Sequence, residues 1–480
     1  MRVLQVTAFA PRGGSAQVVR YLSKALISLG LETSVVSGSI PGERPMGDAA
    51  HFFQGLPLVE VDYAEALRGY ADGLDPILFA NPMSPSYEDK GAVADRAFYQ
   101  VDNAGLEHLV KSWRRVLGET TASFKPDLLH LHHLHHVHLA AIEMPELAGT
   151  PKLAHLHGTE LKMLRWMQQL RSDPSLHTEL WEKALKGAAA GVDHFVVNSD
   201  AVASEAGELL EAPGERISVI PNGVDTELFR PRQWSTESKL RYLERLLVEA
   251  PRGWDESGVE GSIRYRRRDL GNLLDEGGGM RPVALYAGRF LAFKRVDMLL
   301  EGVAELNGLS GRSSPEFNVL ICGGAPGEWE GEHPYAIVKR LGLRNVFFCG
   351  WLNHEELAQA LNLADVFVAP SSYEPFGQVY LEAMATAVPV VGTRSGGPLS
   401  FVVDEGEMAN GWLSAPDDKS SLVGVLDKAL SSAGERDRRG RNAYQLVQRR
   451  YSWSRVARRF ESLYQRLERA SPSRRPPPSA

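Results

Sequence analysis

In the stretch YEPFGQVYLEAMA (373–385), two carboxylates, Glu374 and Glu382, stand on either side of seven uncharged residues. Between them the sequence turns from a loop into good helix formers, so free backbone N–H groups near Phe376, Gly377 and Gln378 would open a helix. A helix N-terminus carries partial positive charge, and glycine there lets a ligand approach the backbone. Such a stretch can seat a phosphate and offer a hydroxyl acceptor on each side. Gly288-Arg289 and Lys294 also follow a strand-like run, and two cations five residues apart suit a diphosphate, although a solvated pair has the same appearance. Gly13-Gly14-Ser15 lies between a strand and a helix but lacks a full G-x-G-x-x-G, so a phosphate contact and a plain tight turn are both open.

Histidine is the other conspicuous residue type. His130, His132, His133, His135, His136 and His138 crowd one strand end, and His155 and His157 another. No H-E-x-x-H, C-x-x-C or Asp-x-Asp completes a coordination shell, so no metal is expected, and the histidines read as cleft-lining or hydrogen-bonding groups. His157-Gly158-Thr159-Glu160 stands where a strand ends and a helix may begin, a place from which one imidazole can touch a sugar.

The elements that must carry these groups alternate. Strands are expected at 2–8, 33–37, 128–132, 152–156 and 194–198, with a Pro/Gly loop at 9–15 and a helix at 16–29. A second series follows at 283–287, 317–322, 346–348, 365–368 and 388–391, with helices near 294–306, 334–341, 354–363 and 377–387. This predicts an α/β chain of two doubly wound, Rossmann-like domains facing across a cleft, with ligands at the carboxyl ends of the strands. The expected domains are 1–215 and 216–450, with a helical insertion at about 232–280, a C-terminal helix at about 451–468 packing back on the first domain, and a disordered tail at 470–480. A length of 480 residues agrees with more than one core.

Composition narrows the functions. The net charge of −7 is spread along the chain, which argues against a nucleic-acid partner. Only Cys322 and Cys349 are present, each in an apolar run, so a disulfide framework is excluded and both read as core residues. No apolar run reaches the ~20 residues of a membrane span. A cytoplasmic protein without integral membrane contact is the expectation.

Taken in order, the motifs resemble the retaining GT-B glycosyltransferases. The resemblance rests on Gly-Gly-Ser at 13–15, His-Gly-Thr at 157–159, Pro-Asn-Gly-Val-Asp at 221–225, Ala-Gly-Arg-Phe with Lys294-Arg295, and Glu-Pro-Phe-Gly with a second glutamate eight residues on. It extends from residue 1 to about 465. The group is the large bacterial one that includes the D-inositol-3-phosphate N-acetylglucosaminyltransferases of mycothiol synthesis. The resemblance implies that Glu374 holds donor-sugar hydroxyls with the amides of Phe376 and Gly377, and that Glu382 binds the ribose. Arg289 and Lys294 would neutralise the diphosphate near Gln378, Gly14 would admit diphosphate and acceptor, and His157 would face the reacting sugar. It further implies a nucleotide-sugar donor, UDP-linked, a small hydroxylated acceptor, no separate cofactor and no metal. Gly396-Gly-Pro-Leu-Ser400 departs from the Gly-Gly-x-Pro-Glu of related sequences, so no carboxylate role is carried over there. A non-catalytic nucleotide-sugar sensor, a nucleotide-sugar 2-epimerase and a phosphorylase on the same frame are the competing readings. The oligomeric state cannot be read from the sequence.

Overall fold

The computed structural model describes residues 1–43, 47–87, 94–309 and 312–470. The tail after Ala470 lies outside the described residues. The chain forms two compact units, one running through Gly223 and including the segment from Trp453 onward, the other spanning Val224–Ser452.

The first unit is built on a parallel sheet of β1 (Arg2–Thr7), β2 (Glu32–Ser39), β3 (Leu58–Asp62), β4 (Leu128–His132), β5 (Lys152–Leu156), β6 (His194–Val197) and β7 (Ile217–Val219). Their spatial order is β3-β2-β1-β4-β5-β6-β7. Strand order reverses beside β1, the switch point at which open α/β sheets bind ligands. The inner strands β1, β2, β4, β5 and β6 are buried on both faces because helices follow them in the chain and cover the sheet, whereas the edge strands β3 and β7 stay partly exposed. One cover comes from the far end of the sequence: helix Trp453–Ala470 places Trp453, Val456, Phe460, Leu463 and Tyr464 on one stripe, packed with Val18, Leu22 and Leu26 of helix Gly13–Ser28.

Two expectations need correction here. Gly13-Gly14-Ser15 is the first turn of that helix, not a loop before it. The first unit does not close at 215, because β7 pairs with β6 through Phe195↔Ile217 and its neighbours.

The second unit holds β8 (Val283–Ala287), β9 (Asn318–Cys322), β10 (Val346–Gly350), β11 (Val366–Val368), β12 (Val390–Thr393) and β13 (Gly411–Ser414) in the order β10-β9-β8-β11-β12-β13. All of its strand pairs are parallel. Cys322 and Cys349 are buried free thiols in its core.

The segment 232–280 is helical only at its start, in Thr236–Glu244 and the wider turn Arg245–Glu249, with a short 3-10 stretch at Arg267–Leu273. Between them runs an irregular strap against β10, an edge strand. The Tyr265 hydroxyl accepts the Phe348 N–H at 2.9 Å, and Arg252 forks onto Glu356 with two contacts of 2.8 Å. Trp254 is buried, lies 5.4 Å from Phe290 ring to ring, and donates its indole N–H to Gly324 O at 3.1 Å. An edge strand otherwise presents unpaired backbone groups, so this insertion covers the edge and braces the turns that leave β8 and β9.

Candidate functional site

In the second unit the loop after β11 carries the paired glutamates. Gly377 adopts φ +92°, a left-handed conformation suited to glycine, and from it helix Gln378–Ala385 begins. Glu374 is 9% exposed, and its Oε2 lies 2.5 Å from Lys294 Nζ and 3.4 Å from Ser371 Oγ. Lys294 ends the 3-10 turn Ala292–Lys294 that follows β8. Two residues eighty positions apart are thus brought into one ion pair. The paired glycines Gly396 and Gly397 hold this loop in place: the Gly397 N–H donates to Glu374 O at 2.7 Å, and a Cβ on Gly396 would stand 2.3 Å from the same oxygen.

Phe376 turns its ring into the core, 5.7 Å from Phe401, so only its backbone is available to a ligand. Glu382 is 4% exposed, with His354 Nε2 at 4.0 Å, and burial pushes its carboxyl pKa up to about 8. Arg289 is exposed beyond β8; its carbonyl accepts the Tyr286 hydroxyl at 2.8 Å, while its guanidinium makes no hydrogen bond or ion pair among the described residues. The second unit therefore gathers Lys294, Glu374, Gly377 and Gln378 around one helix start, with Glu382 about a turn further on. Such a set can hold a polyhydroxylated phosphate ester.

In the first unit, His157 follows β5 and Gly158 turns the chain into helix Thr159–Gln169. Glu160 is fully buried there. Its Oε1 accepts the His157 N–H at 2.7 Å, and its Oε2 accepts the Thr159 hydroxyl at 3.2 Å and lies 3.3 Å from His133 Nδ1. The His157 Nε2 lies 3.1 Å from His132 Nδ1, and His132 Nε2 lies 2.7 Å from Gln5 Oε1. Alongside, His130 reaches Tyr464 Oη at 2.6 Å and His155 Nδ1 at 3.1 Å. Nitrogens of His130, His132 and His155 all come within 4.8 Å of one another. Burial lowers the pKa of His130, His132, His135 and His157, and brings His136, His138 and His155 down to about 3, neighbouring imidazoles adding to the effect. At neutral pH these seven rings are uncharged. Gly14 sits in the first turn of its helix, and a Cβ added to it would meet nothing within 4 Å, so what this glycine provides is open access to a helix N-terminus.

Sequence reasoning passed over Gln5, Glu160 and Tyr464. Glu160 was visible beside His157 in the strand-to-helix turn; Gln5, a lone amide in an apolar strand, carried no signal until its neighbour on β4 was known.

Two family descriptions meet on this chain: residues 12–228 match Glycosyltransferase Family 4, and residues 277–446 match Glycosyl transferases group 1. The chain belongs to the group 1 glycosyltransferases of GT-B fold, enzymes that move a sugar from a nucleotide-sugar. It is 26% identical to a glycogen synthase of Mycobacterium tuberculosis over 489 aligned residues, covering 100% of this chain and 97% of the relative. It is 32% identical over 279 residues to a D-inositol 3-phosphate glycosyltransferase of Corynebacterium urealyticum, covering 57% of each chain. Among solved structures it resembles sucrose-phosphate synthase from Thermosynechococcus elongatus, with a TM-score of 0.66, 20% identity and coverage of 98% of this chain and 100% of the other. Among the described residues no helix is long and apolar enough to cross a membrane.

Proposed function

We propose that this enzyme transfers a hexosyl or N-acetylhexosaminyl group from a UDP-sugar to a hydroxyl of a small acceptor, with retention of configuration and without a metal. The observation that carries the reading is the Lys294–Glu374 pair at the start of helix Gln378–Ala385. A carboxylate held by an ammonium is aimed, ready to accept sugar hydroxyls, while the same ammonium has further N–H groups for a phosphate. Arg289, with its guanidinium uncommitted, adds a second cation, and the amides of Gly377 and Gln378 add the helix terminus. Glu382 takes the ribose hydroxyls; its raised pKa makes it a group that can donate as well as accept.

The chemistry follows from charge. As the glycosidic C–O bond breaks, negative charge grows on the leaving diphosphate, and Arg289, Lys294 and the amides stabilise it where it develops. The acceptor oxygen bonds to the anomeric carbon from the face that the leaving group vacates, and its proton passes to a diphosphate oxygen. Retention results without a protein nucleophile. His157 takes a substrate hydroxyl. The acceptor is a small hydroxylated molecule in this reading, since the described groups bonded to or stacked on His157 are imidazoles and the buried Glu160, groups suited to hydroxyls.

A product analysis by NMR tests this directly. An α-linked product from an α-linked donor supports the reading, and an inverted linkage or a requirement for divalent metal overturns it.

A further inference from the structure

Of the histidines that follow β4 and β5, only His157 has a place in the transfer chemistry, yet its ring ends a hydrogen-bonded line that starts on β1. Gln5 Oε1 lies 2.7 Å from His132 Nε2, and His132 Nδ1 lies 3.1 Å from His157 Nε2. The two ring planes differ by only 19° with centroids 5.4 Å apart, the disposition of two imidazoles joined edge to edge through one shared proton. Gln5 and His132 are completely buried. No water competes for these contacts, and an alternation of donors and acceptors must run along the line.

The parity of that alternation is fixed by its first member. With the Gln5 amide turned so that Oε1 faces His132 and Nε2 is buried without a partner, the oxygen only accepts, so the proton of a neutral His132 sits on Nε2 and its Nδ1 is bare. A bare Nδ1 must receive a proton, so His157 donates from Nε2. The remaining nitrogen of His157, Nδ1, is then a lone pair with no protein partner among the described residues. Neutrality of both rings agrees with their surroundings: His132 is faced by His130, His133, His155 and His157, and His157 by His130, His133 and His155, with Glu160 engaged by the His157 backbone.

We propose that Gln5 and His132 are positioning residues that set the tautomer of His157, so that its Nδ1 accepts a hydrogen bond from a substrate hydroxyl. The inference rests on the role given to His157 above. It also states a preference: a lone pair welcomes an O–H and repels a phosphate oxygen, so the group taken at this position is a sugar or acceptor hydroxyl. A second line, Tyr464–His130–His155, runs beside the first and makes no hydrogen bond to His157. It is a built-in control.

The test combines ¹⁵N NMR of the histidines in the full-length protein with steady-state kinetics. Gln5→Met keeps the size and removes the acceptor; Gln5→Glu restores an oxygen that accepts. In the wild type, His157 should carry its proton on Nε2. Gln5→Met should give a mixture of His157 tautomers and at least a tenfold lower kcat, with both substrate KM values and the Tm little changed; Gln5→Glu should recover the single tautomer and most of the kcat. Tyr464→Phe should lower stability and leave the His157 tautomer and kcat as they are. A wild-type His157 protonated on Nδ1, or a Gln5→Met variant with wild-type tautomer and kcat, overturns the proposal. If Gln5→Met does not fold, the wild-type tautomer alone decides. A wild type that transfers no sugar from any donor would sink the transfer reading, while the tautomer measurement would still judge the relay.

Discussion

Lowering the pH from about 7.5 to about 5.5 should remove about 8 kcal/mol of stability from the first unit, because six fully buried imidazoles cannot follow the unfolded chain in taking up protons. The groups are His130, His132, His135, His136, His138 and His155, none more than 1% exposed. Each has its pKa depressed in the fold, chiefly by burial and in addition by neighbouring histidines. The sign follows from which state binds more protons. Unfolded histidine titrates near ~6.5, so below that the unfolded chain gains protons the native unit refuses, and stability falls with pH until the folded values, about 3 for three of them, are approached. Over this interval each group contributes about 1.4 kcal/mol, and a domain's whole stability is about 5–15 kcal/mol. Urea unfolding followed by near-UV circular dichroism should therefore show a first transition whose midpoint collapses between about pH 6.5 and 5.5, well ahead of the second unit's. A midpoint independent of pH over that range, or histidine NMR signals titrating near the ordinary value in the folded protein, would refute the reasoning.

Other consequences follow from the second unit. Lys294→Ala and Arg289→Ala should each slow transfer by about two orders of magnitude, the equivalent of ~3 kcal/mol of leaving-group stabilisation, and rates within threefold of wild type would contradict their role. Glu382→Gln should raise the urea midpoint of the second unit at neutral pH. A carboxyl held up at about 8 in the fold stays protonated while its unfolded form ionises, which costs stability as pH rises from ~4.5 toward 8, about 5 kcal/mol at most. The same variant should weaken nucleoside-diphosphate binding in calorimetry; unchanged affinity would remove its assignment to the ribose. Gly396→Ala places a methyl group 2.3 Å from Glu374 O, so it should displace the Glu374 loop and weaken donor binding more than it lowers the Tm. Trp254→Ala should cost about 3–5 kcal/mol in urea unfolding by removing a buried indole from the edge cover.

Much of this architecture was legible because apolar, β-branched runs alternate with amphipathic helices, and buried parallel strands announce themselves in that way. The strands that escaped notice are the ones lacking that signature. β3, Leu58–Asp62, exposes most of its residues at the sheet edge, while β7 and β13 are three and four residues long. The helix beginning at Gly13 was placed too late because two glycines are poor helix formers and only tertiary packing draws them into its first turn. At the site, the spacing of Glu374 and Glu382 was readable, since helix geometry relates them locally. The Lys294–Glu374 pair and the Gln5–His132–His157 line were not, because each joins segments far apart in sequence whose register depends on the finished sheet.

The central claim is that Glu374, aimed by Lys294, holds the sugar of a nucleotide donor while it is transferred. Purified protein should be given a panel of UDP-, GDP- and ADP-sugars without added metal, and release of nucleoside diphosphate followed with and without a pool of small hydroxylated acceptors. The account predicts release from one donor class, UDP-sugars, that rises with acceptor and is lost in Glu374→Ala although that variant still binds UDP. Binding without release under every condition, or release that Glu374→Ala leaves intact, would contradict it.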